Sequence, residues 1–520
     1  MGNNIKVTIW GKEVGRLTWD ASRKRSIFEY APSFLKGGLD IAPLTASIYD
    51  RRSRLPFYGE ANNGVFFGLP AFISDSLPGR WGDTVFSAWA SANNLDEDHL
   101  TAVDKLSFIG KRGMGALEFE PAQEIGSGEM SLALDQLYRK AQEILEKREG
   151  TVITDKDITL ESLYEVGTSA GGQHTKAVIA RNNKTGEIRS GQIMLPPDYT
   201  YYLLKFAEKD YYPLTKVEMV YYQLATLAGI TMMPSELITI DGDEHFLTER
   251  YDRKDGKKIH TQTLAAMNPY ARNYEDLMTV IDKLNIPYKE KEETFRRAVF
   301  NILTTNVDAH IRNFSFMMEE GGAWHITPAY DLTFSCFNPG NKFDPAHYLR
   351  IGGKTIGIEY EDLVEYGRRF GIAHPNEIIK STAECVAQFR PVAKDMGVDS
   401  YWIDKIEQHF AEMSPRMLSI LNGYKPLTFN YIIEEKGIIV KNLHWTEMGN
   451  GAMRLEAELN GTPFRATFAR KSKEYPAIME NGGIKMPFEK QKEYVERLFL
   501  PRVNSVNGNP YEQYGATNKV

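Results

Sequence analysis

Residues 5–18 and 27–30 alternate apolar and polar side chains, the period of a strand with one buried face. Gly-rich turns follow, and up to about residue 120 short apolar runs are broken by Gly, Pro and Asn. Two phrases stand apart there, Leu77-Pro78-Gly79-Arg80-Trp81-Gly82 and Ile109-Gly110-Lys111-Arg112-Gly113-Met114-Gly115. A polar break at Gln123–Gly128 precedes a helical stripe of Leu134, Leu137, Ala141, Ile144 and Leu145, with Gly150 as its natural stop. A first boundary therefore falls near residue 125. From about 160 to 252 the pattern is strand-rich, at Val178–Arg181, Tyr201–Phe206 and His245–Tyr251. One helix interrupts it, on Val217, Val220, Tyr221, Leu224 and Leu227. From 253 to about 425 helical spacing dominates; one helix sets Phe295, Val299, Ile302 and Leu303 on a face and runs into Thr305–Asn313. After Pro426, Tyr431–Val440 and Met453–Phe468 read as strands around turns such as Glu447–Gly451, with a charged helix near Glu489–Leu498. This is an appended α+β module, and the polar stretch Val503–Val520 reads as a loose tail. No internal repeat or sustained heptad is visible.

Composition narrows the class. The 520 residues are 42% hydrophobic, 25% charged and 12% aromatic, enough to build several cores. The net charge of −7 provides no global cationic field for nucleic acid. No run approaches the roughly 20 apolar residues that cross a bilayer, so no membrane role is expected. The start, MGNNIKVTIWGKEVG, has no signal-peptide apolar core, and Lys6 stands where the N-myristoylation pattern needs Ser or Thr. Cys336 and Cys385 are too few for a disulfide framework or a thiolate metal site. The expectation is a cytoplasmic, multi-domain, mixed α/β protein.

The sharpest chemical signal is Asn306-Val307-Asp308-Ala309-His310-Ile311-Arg312-Asn313, an aspartate followed five positions later by an asparagine. That is the catalytic-loop spacing of protein kinases: the Asp faces a substrate hydroxyl, and the Asn can ligate a metal on the nucleotide phosphates. Alone the pattern is weak, since Asp and Asn are common in loops. Downstream, Phe314–Met318, a turn at Glu319–Gly322 and a strand at Ala323–Ile326 form a hairpin that returns Asp331 to the same place. A second carboxylate there suits magnesium, which prefers oxygen ligands; the bland alternative is a turn aspartate capping its own backbone. Upstream, Gly167-Thr168-Ser169-Ala170-Gly171-Gly172-Gln173-His174-Thr175-Lys176 is a candidate phosphate cradle, its small residues exposing backbone N–H groups. Lys205, alone in an apolar strand, needs a ligand or partner unless it lies on a solvent-facing edge. Glu218 could pair with it, or serve only the helix dipole. Glu249-Arg250-Tyr251-Asp252-Arg253 stands where a kinase hinge would, or is a surface charge cluster. Gly352-Gly353-Lys354-Thr355 imitates a P-loop end, but Tyr348 occupies the first glycine's place, and no His pair has zinc spacing. His310 reads as a loop-ordering residue. Arg51, Arg52, Arg54, Lys111 and Arg112 read as scattered surface charge rather than one basic patch.

Five segments in order, GTSAGGQHTK (167–176), YLLKF (202–206), LTERYDR (247–253), TNVDAHIRN (305–313) and PAYDLTFS (328–335), resemble the HipA family of bacterial Ser/Thr kinase toxins. LPGRWG and IGKRGMGALEFEP resemble the family's amino-terminal subdomain, so the likeness spans roughly residues 5–425. The resemblance implies an α+β, two-lobed kinase-like fold with an extra amino-terminal subdomain. Its parts would be residues 1–125, an N-lobe at 126–252, a helical C-lobe at 253–425, and the appended module at 426–520. It implies Asp308 as catalytic base, Asn313 and Asp331 as magnesium ligands, and Lys205 on the ATP phosphates. Gly171, Gly172 and Gln173 would belong to the nucleotide cover, and Glu249 and Tyr251 to the hinge. Thr168 and Ser169 are candidates for autophosphorylation. Implied cofactors are ATP and Mg2+, and the implied partner is a small HipB-type helix-turn-helix antitoxin, with DNA reached mainly through it. Characterised targets of the family include aminoacyl-tRNA synthetases. His174 and Thr175 depart from the charged or proline residues common in such loops, and the module after 426 lies outside the family core. Two rival readings stand beside this one: a catalytically silent kinase fold in a DNA-bound repressor complex, and a kinase for a small molecule or lipid.

Overall fold

The computed structural model describes residues 4–61, 63–123, 132–146, 158–167, 172, 174–208, 212–335, 345–413, 429–433, 437–448, 451–472 and 491–497. The first alternating run becomes an antiparallel meander, Asn4–Ile9, Lys12–Asp20 and Arg25–Tyr30, burying Ile5, Val7, Ile9, Val14, Leu17 and Phe28 on one face. Phe57–Tyr58 joins one edge and Leu117–Glu120 the other. The two longest helices described in this part are Arg80–Ala92 and Ala102–Ile109, the second opened by a reciprocal Thr101–Asp104 capping box.

A second antiparallel sheet has the spatial order Ile188–Ser190, Lys176–Asn182, Tyr199–Lys205, Asp243–Glu249, Ser235–Ile240. The strand Tyr199–Lys205 is therefore central, which disposes of the solvent-facing-edge reading of Lys205. Helix Leu214–Leu227 packs beside it with Val217, Val220, Tyr221 and Leu224 buried; Leu227, expected on the same face, is instead 59% exposed at the helix end. The helical half carries Tyr274–Lys283, Tyr288–Leu303, Tyr360–Arg369, Pro375–Val386 and Ser400–Met413. The expected hairpin is present as Ser315–Met318 and His325–Ile326, and the strand His260–Thr263 adds to it.

The two buried cores do not follow chain order. One continuous cluster joins the first meander to the helical half, from Ile5 and Phe28 to Phe300 and Ile406. A second joins helix Arg80–Ala92, through Trp81 and Val85, to Leu137, Tyr164, Ala177 and Leu204 around the second sheet. The amino-terminal part thus lies against both lobes. The carboxy-terminal module has its own core, in which Trp445, Leu455 and Phe468 of a four-stranded meander are buried with Tyr494 from residues 491–497. The pattern there hid two hairpins. Phe429–Ile433 pairs with Ile438–Glu447, and Met453–Leu459 turns at Asn460-Gly461, both with positive φ, into Thr462–Phe468. Residues 491–497 are helical, inside the expected Glu489–Leu498. Among the described residues no helix is long and apolar enough to cross a membrane.

Candidate active site

Lys205 ends the central strand of the second sheet, and its register partner on the neighbouring strand is Lys176. Like charges directly opposite on a sheet repel, so this register requires anions in front of it. They are supplied from two distant segments. Lys205 Nζ donates to Glu218 Oε1 at 2.5 Å and to Asp331 Oδ1 at 2.6 Å. Burial opposes the charge on Lys205, but Asp331 and Glu218 outweigh it and hold the ammonium above the ordinary lysine pKa. Lys176 is pushed down to about 8 by burial and by Lys205, with Asp331 and Glu218 opposing. Burial raises Glu218, whose Oε2 has no hydrogen-bond partner among the described residues.

Asp331 sits at φ +56, a left-handed conformation uncommon outside glycine. Its side chain is 35% exposed toward the cleft, and the two lysines hold it well below the usual carboxylate range despite the opposing effect of burial. The turn-capping alternative for Asp331 therefore fails, as does the dipole-only reading of Glu218.

The loop after helix Tyr288–Leu303 is braced from behind. Asn306 Nδ2 donates to Asn301 Oδ1 at 3.0 Å, and Tyr348 N–H donates to the Val307 carbonyl at 2.8 Å. Asp308 N–H donates to Ser335 Oγ at 3.0 Å, and Ser335 in turn donates to Asn306 Oδ1 at 3.2 Å. Ser335 lies four residues past Asp331, so the two loops are tied together at the main chain. Asn313 Nδ2 donates to the Asp308 carbonyl at 3.1 Å. The Asp308 residue is exposed, while the protein around its carboxyl raises its pKa by desolvation; Asp331 adds to the rise, and His310 and His174 oppose it. His310 orders the loop as expected, Nδ1 accepting from Arg312 N–H at 3.2 Å.

Asn313 and Asp331 line one recess with Asn301, Asn306 and Tyr330. With Asn313 Nδ2 and Asp331 Oδ1 engaged, Asn313 Oδ1 and Asp331 Oδ2 remain without a donor among the described residues. Two hard oxygens, with phosphates and water completing the shell, fit magnesium. No cluster of three or more His, Cys, Asp or Glu that could hold a metal exists among the described residues.

The Glu249–Arg253 segment is not a surface charge cluster. Asp252 is fully buried and takes Arg250 through two bonds, 2.8 and 2.7 Å, and Arg253 Nη1 at 2.6 Å. The Gly115 N–H donates to Asp252 Oδ2 at 2.8 Å, and Arg253 Nη2 donates to the Gly113 carbonyl at 3.0 Å. The phrase Ile109–Gly115 is thereby explained as a dock for the segment beyond Glu249. A Cβ on Gly115, at φ +74, would stand 2.8 Å from Thr261 Oγ1, so only glycine fits there. Glu249 and Tyr251 flank this lock, and the Tyr251 ring stacks on Tyr330 at 5.9 Å. Arg112 turns inward over Tyr164 at 5.1 Å, and Arg52 pairs with Asp50 at 2.6 Å, so they form no joint basic patch.

Of the sequence-derived candidates, Lys205, Asp331, Asn313, Asp308 and Gly172 are linked around one cleft, Tyr251 reaches it through Tyr330, and Glu249 ends its strand opposite Tyr202. Thr168, Ser169, Gly171 and Gln173 lie outside the described residues, as does Cys336. Ser335, Asn301, Asn306 and Lys176 were missed as site residues. Lys176, Asn306 and Ser335 each stood at an end of a segment singled out in the sequence, while Asn301 carried no signal.

The chain matches family models for the HipA N-terminal domain at residues 5–120 and the HipA-like C-terminal domain at residues 168–390. It is 25% identical over 248 residues to a putative kinase, Y4mE, of Sinorhizobium fredii, covering 43% of this chain and 57% of that protein. It is 23% identical over 347 residues to the serine/threonine-protein kinase toxin HipA of Shewanella oneidensis, covering 61% of this chain and 72% of that one. The solved complex of Shewanella oneidensis HipA with HipB and operator DNA contains a chain that superposes with TM-score 0.56 at 17% identity, over 81% of this chain and 99% of that one. With both HipA domain models matched in order and the two-lobed α+β kinase-like architecture in place, the chain belongs to the HipA family.

Proposed function

We propose that this protein is an ATP- and magnesium-dependent serine/threonine protein kinase acting as a growth-arresting, HipA-like toxin. The observation that carries this reading is Lys205 bridging Glu218 and Asp331 beside the Asp308 loop. A kinase needs a lysine held by a helix glutamate and an acidic metal ligand in place together. In this reading Lys205 and Lys176 take the nucleotide phosphates, and Asn313 and Asp331 hold magnesium. Bound there, the metal would neutralise phosphate charge during transfer. Asp308 accepts the proton of the substrate hydroxyl, a role its raised pKa suits, since a base works best near the working pH. Asn313 and Ser335 fix its main chain. Glu249 and Tyr251 edge the adenine side, and the division at residues 125, 252 and 425 is our reading of the domain boundaries.

The solved Shewanella complex supports a HipB-like antitoxin as partner, with DNA reached through it. A protein substrate, of which an aminoacyl-tRNA synthetase is one candidate class, and autophosphorylation at Thr168 or Ser169 complete the proposal. Incubation of purified protein with labelled Mg-ATP and a generic protein acceptor tests it. Label should appear on acceptor serine or threonine, and on the peptide spanning 167–176, with wild type but not with Asp308→Asn. No transfer by the wild type would favour a silent binding module.

A further inference from the structure

The phrase Leu77–Gly82 has no part in the site described so far. Its Trp81 is fully buried near the start of helix Arg80–Ala92. The Trp81 backbone N–H donates to the Gly172 carbonyl at 3.2 Å, and the indole Nε1–H donates to the Lys176 carbonyl at 2.9 Å. A Cβ on Gly167 would lie 3.6 Å from the same indole nitrogen. One residue of the amino-terminal part therefore bonds the Gly-rich segment at Gly172 through its backbone and at Lys176 through its side chain, with its indole beside Gly167. The Lys176 side chain folds back past Gly172, where an added Cβ would come 2.6 Å from its Nζ, and is electrostatically coupled to Lys205, Asp331 and Glu218.

We propose that Trp81 is a positioning residue for nucleotide binding. Its indole N–H fixes the main chain at Lys176 and so sets where the Lys176 ammonium stands relative to Lys205 and Asp331. The inference rests on the kinase reading of the cleft. Lys176 opens its strand: the Thr175 carbonyl before it accepts from the Phe206 N–H at 3.0 Å, and the Lys176 carbonyl itself takes the indole N–H of Trp81. Remove the indole donor and a buried carbonyl loses a partner, and the lysine gains a route away from the phosphates.

Trp81→Phe keeps an apolar ring and deletes the N–H. The control is Phe86→Leu, a packing lesion on the same helix, where Phe86 meets Phe108 at 5.3 Å and has no bond to the described residues of the Gly-rich segment. Three readouts are taken: affinity for a magnesium-bound, non-hydrolysable ATP analogue, amide exchange of the 167–176 peptide, and thermal midpoint. Trp81→Phe should weaken the analogue about three- to tenfold, the usual range for one hydrogen bond, and speed exchange. KM for ATP should rise with kcat little changed. Phe86→Leu should lower the midpoint with neither effect. Wild-type affinity and exchange in Trp81→Phe, or equal effects in both variants, would overturn the inference. A wild type that binds no nucleotide would instead overturn the kinase reading; exchange alone then decides the anchoring, and equal exchange overturns it.

Discussion

In the proposed mechanism Lys205 carries charge on the phosphates and Asp308 takes the proton. Truncating Lys205 to Ala removes the ammonium that Glu218 and Asp331 share. ATP affinity and transfer should both fall, and unchanged binding by calorimetry would remove Lys205 from the phosphates. Asp308→Asn should cut transfer by about 10²–10⁴-fold, the usual contribution of a general base, while nucleotide still binds. Because the Asp308 pKa is raised, its base form is lost as pH falls through a midpoint above the ordinary carboxylate value of about 4. A pH–rate profile should therefore show an acid limb displaced upward. The spacing from Asp308 to Asn313 was legible because catalytic loops are short. Ser335 and Asn301 were not, because each acts through a bond set by tertiary packing. The register facing Lys176 with Lys205 was equally hidden, as strand alignment is fixed by partners elsewhere in the chain.

Among the elements, the segment after Glu249 depends on one buried carboxylate. Asp252 is held well below the carboxylate range by Arg250 and Arg253 in spite of its burial. Its folded pKa is depressed, so its stabilisation is present above the unfolded value of about 4 and is lost only as pH falls through the lower folded value. Asp252→Asn should cost about 3–5 kcal/mol in chemical denaturation by stranding two buried guanidinium groups. A loss below about 1 kcal/mol would mean that the arginines find other partners. The central strands were legible from alternation and aromatic content. The hairpins of the last module were run together because Asn460-Gly461, a two-residue turn signal, sits inside one long apolar-polar alternation.

For the molecule as a whole, the decisive fact is that the first meander and the helical half share a core. Trp10 Nε1–H donates to the Lys258 carbonyl at 2.8 Å, Thr263 N–H donates to Asp75 Oδ2 at 2.7 Å, and Arg312 donates to the Val65 carbonyl. Deleting residues 1–120 should therefore abolish cooperative unfolding of the remainder, as followed by circular dichroism. Ending the chain at residue 425 should preserve that transition, since the module's buried cluster is separate. Sequence punctuation showed where the segments divide. It could not show that segments far apart in the chain complete one another's interiors, because an apolar face looks the same whichever partner covers it.

That arrangement has a consequence for synthesis. The apolar face of the first meander leaves the ribosome early, but the side chains that cover it extend to Ile406. At about 5–20 residues per second the interval is roughly 20–75 s. Over that time the nascent strands are an unfinished surface in need of shelter from their neighbours on the same message. The candidate cleft, tied to that surface at Arg312 and Thr263, cannot be complete before Ser335 has emerged.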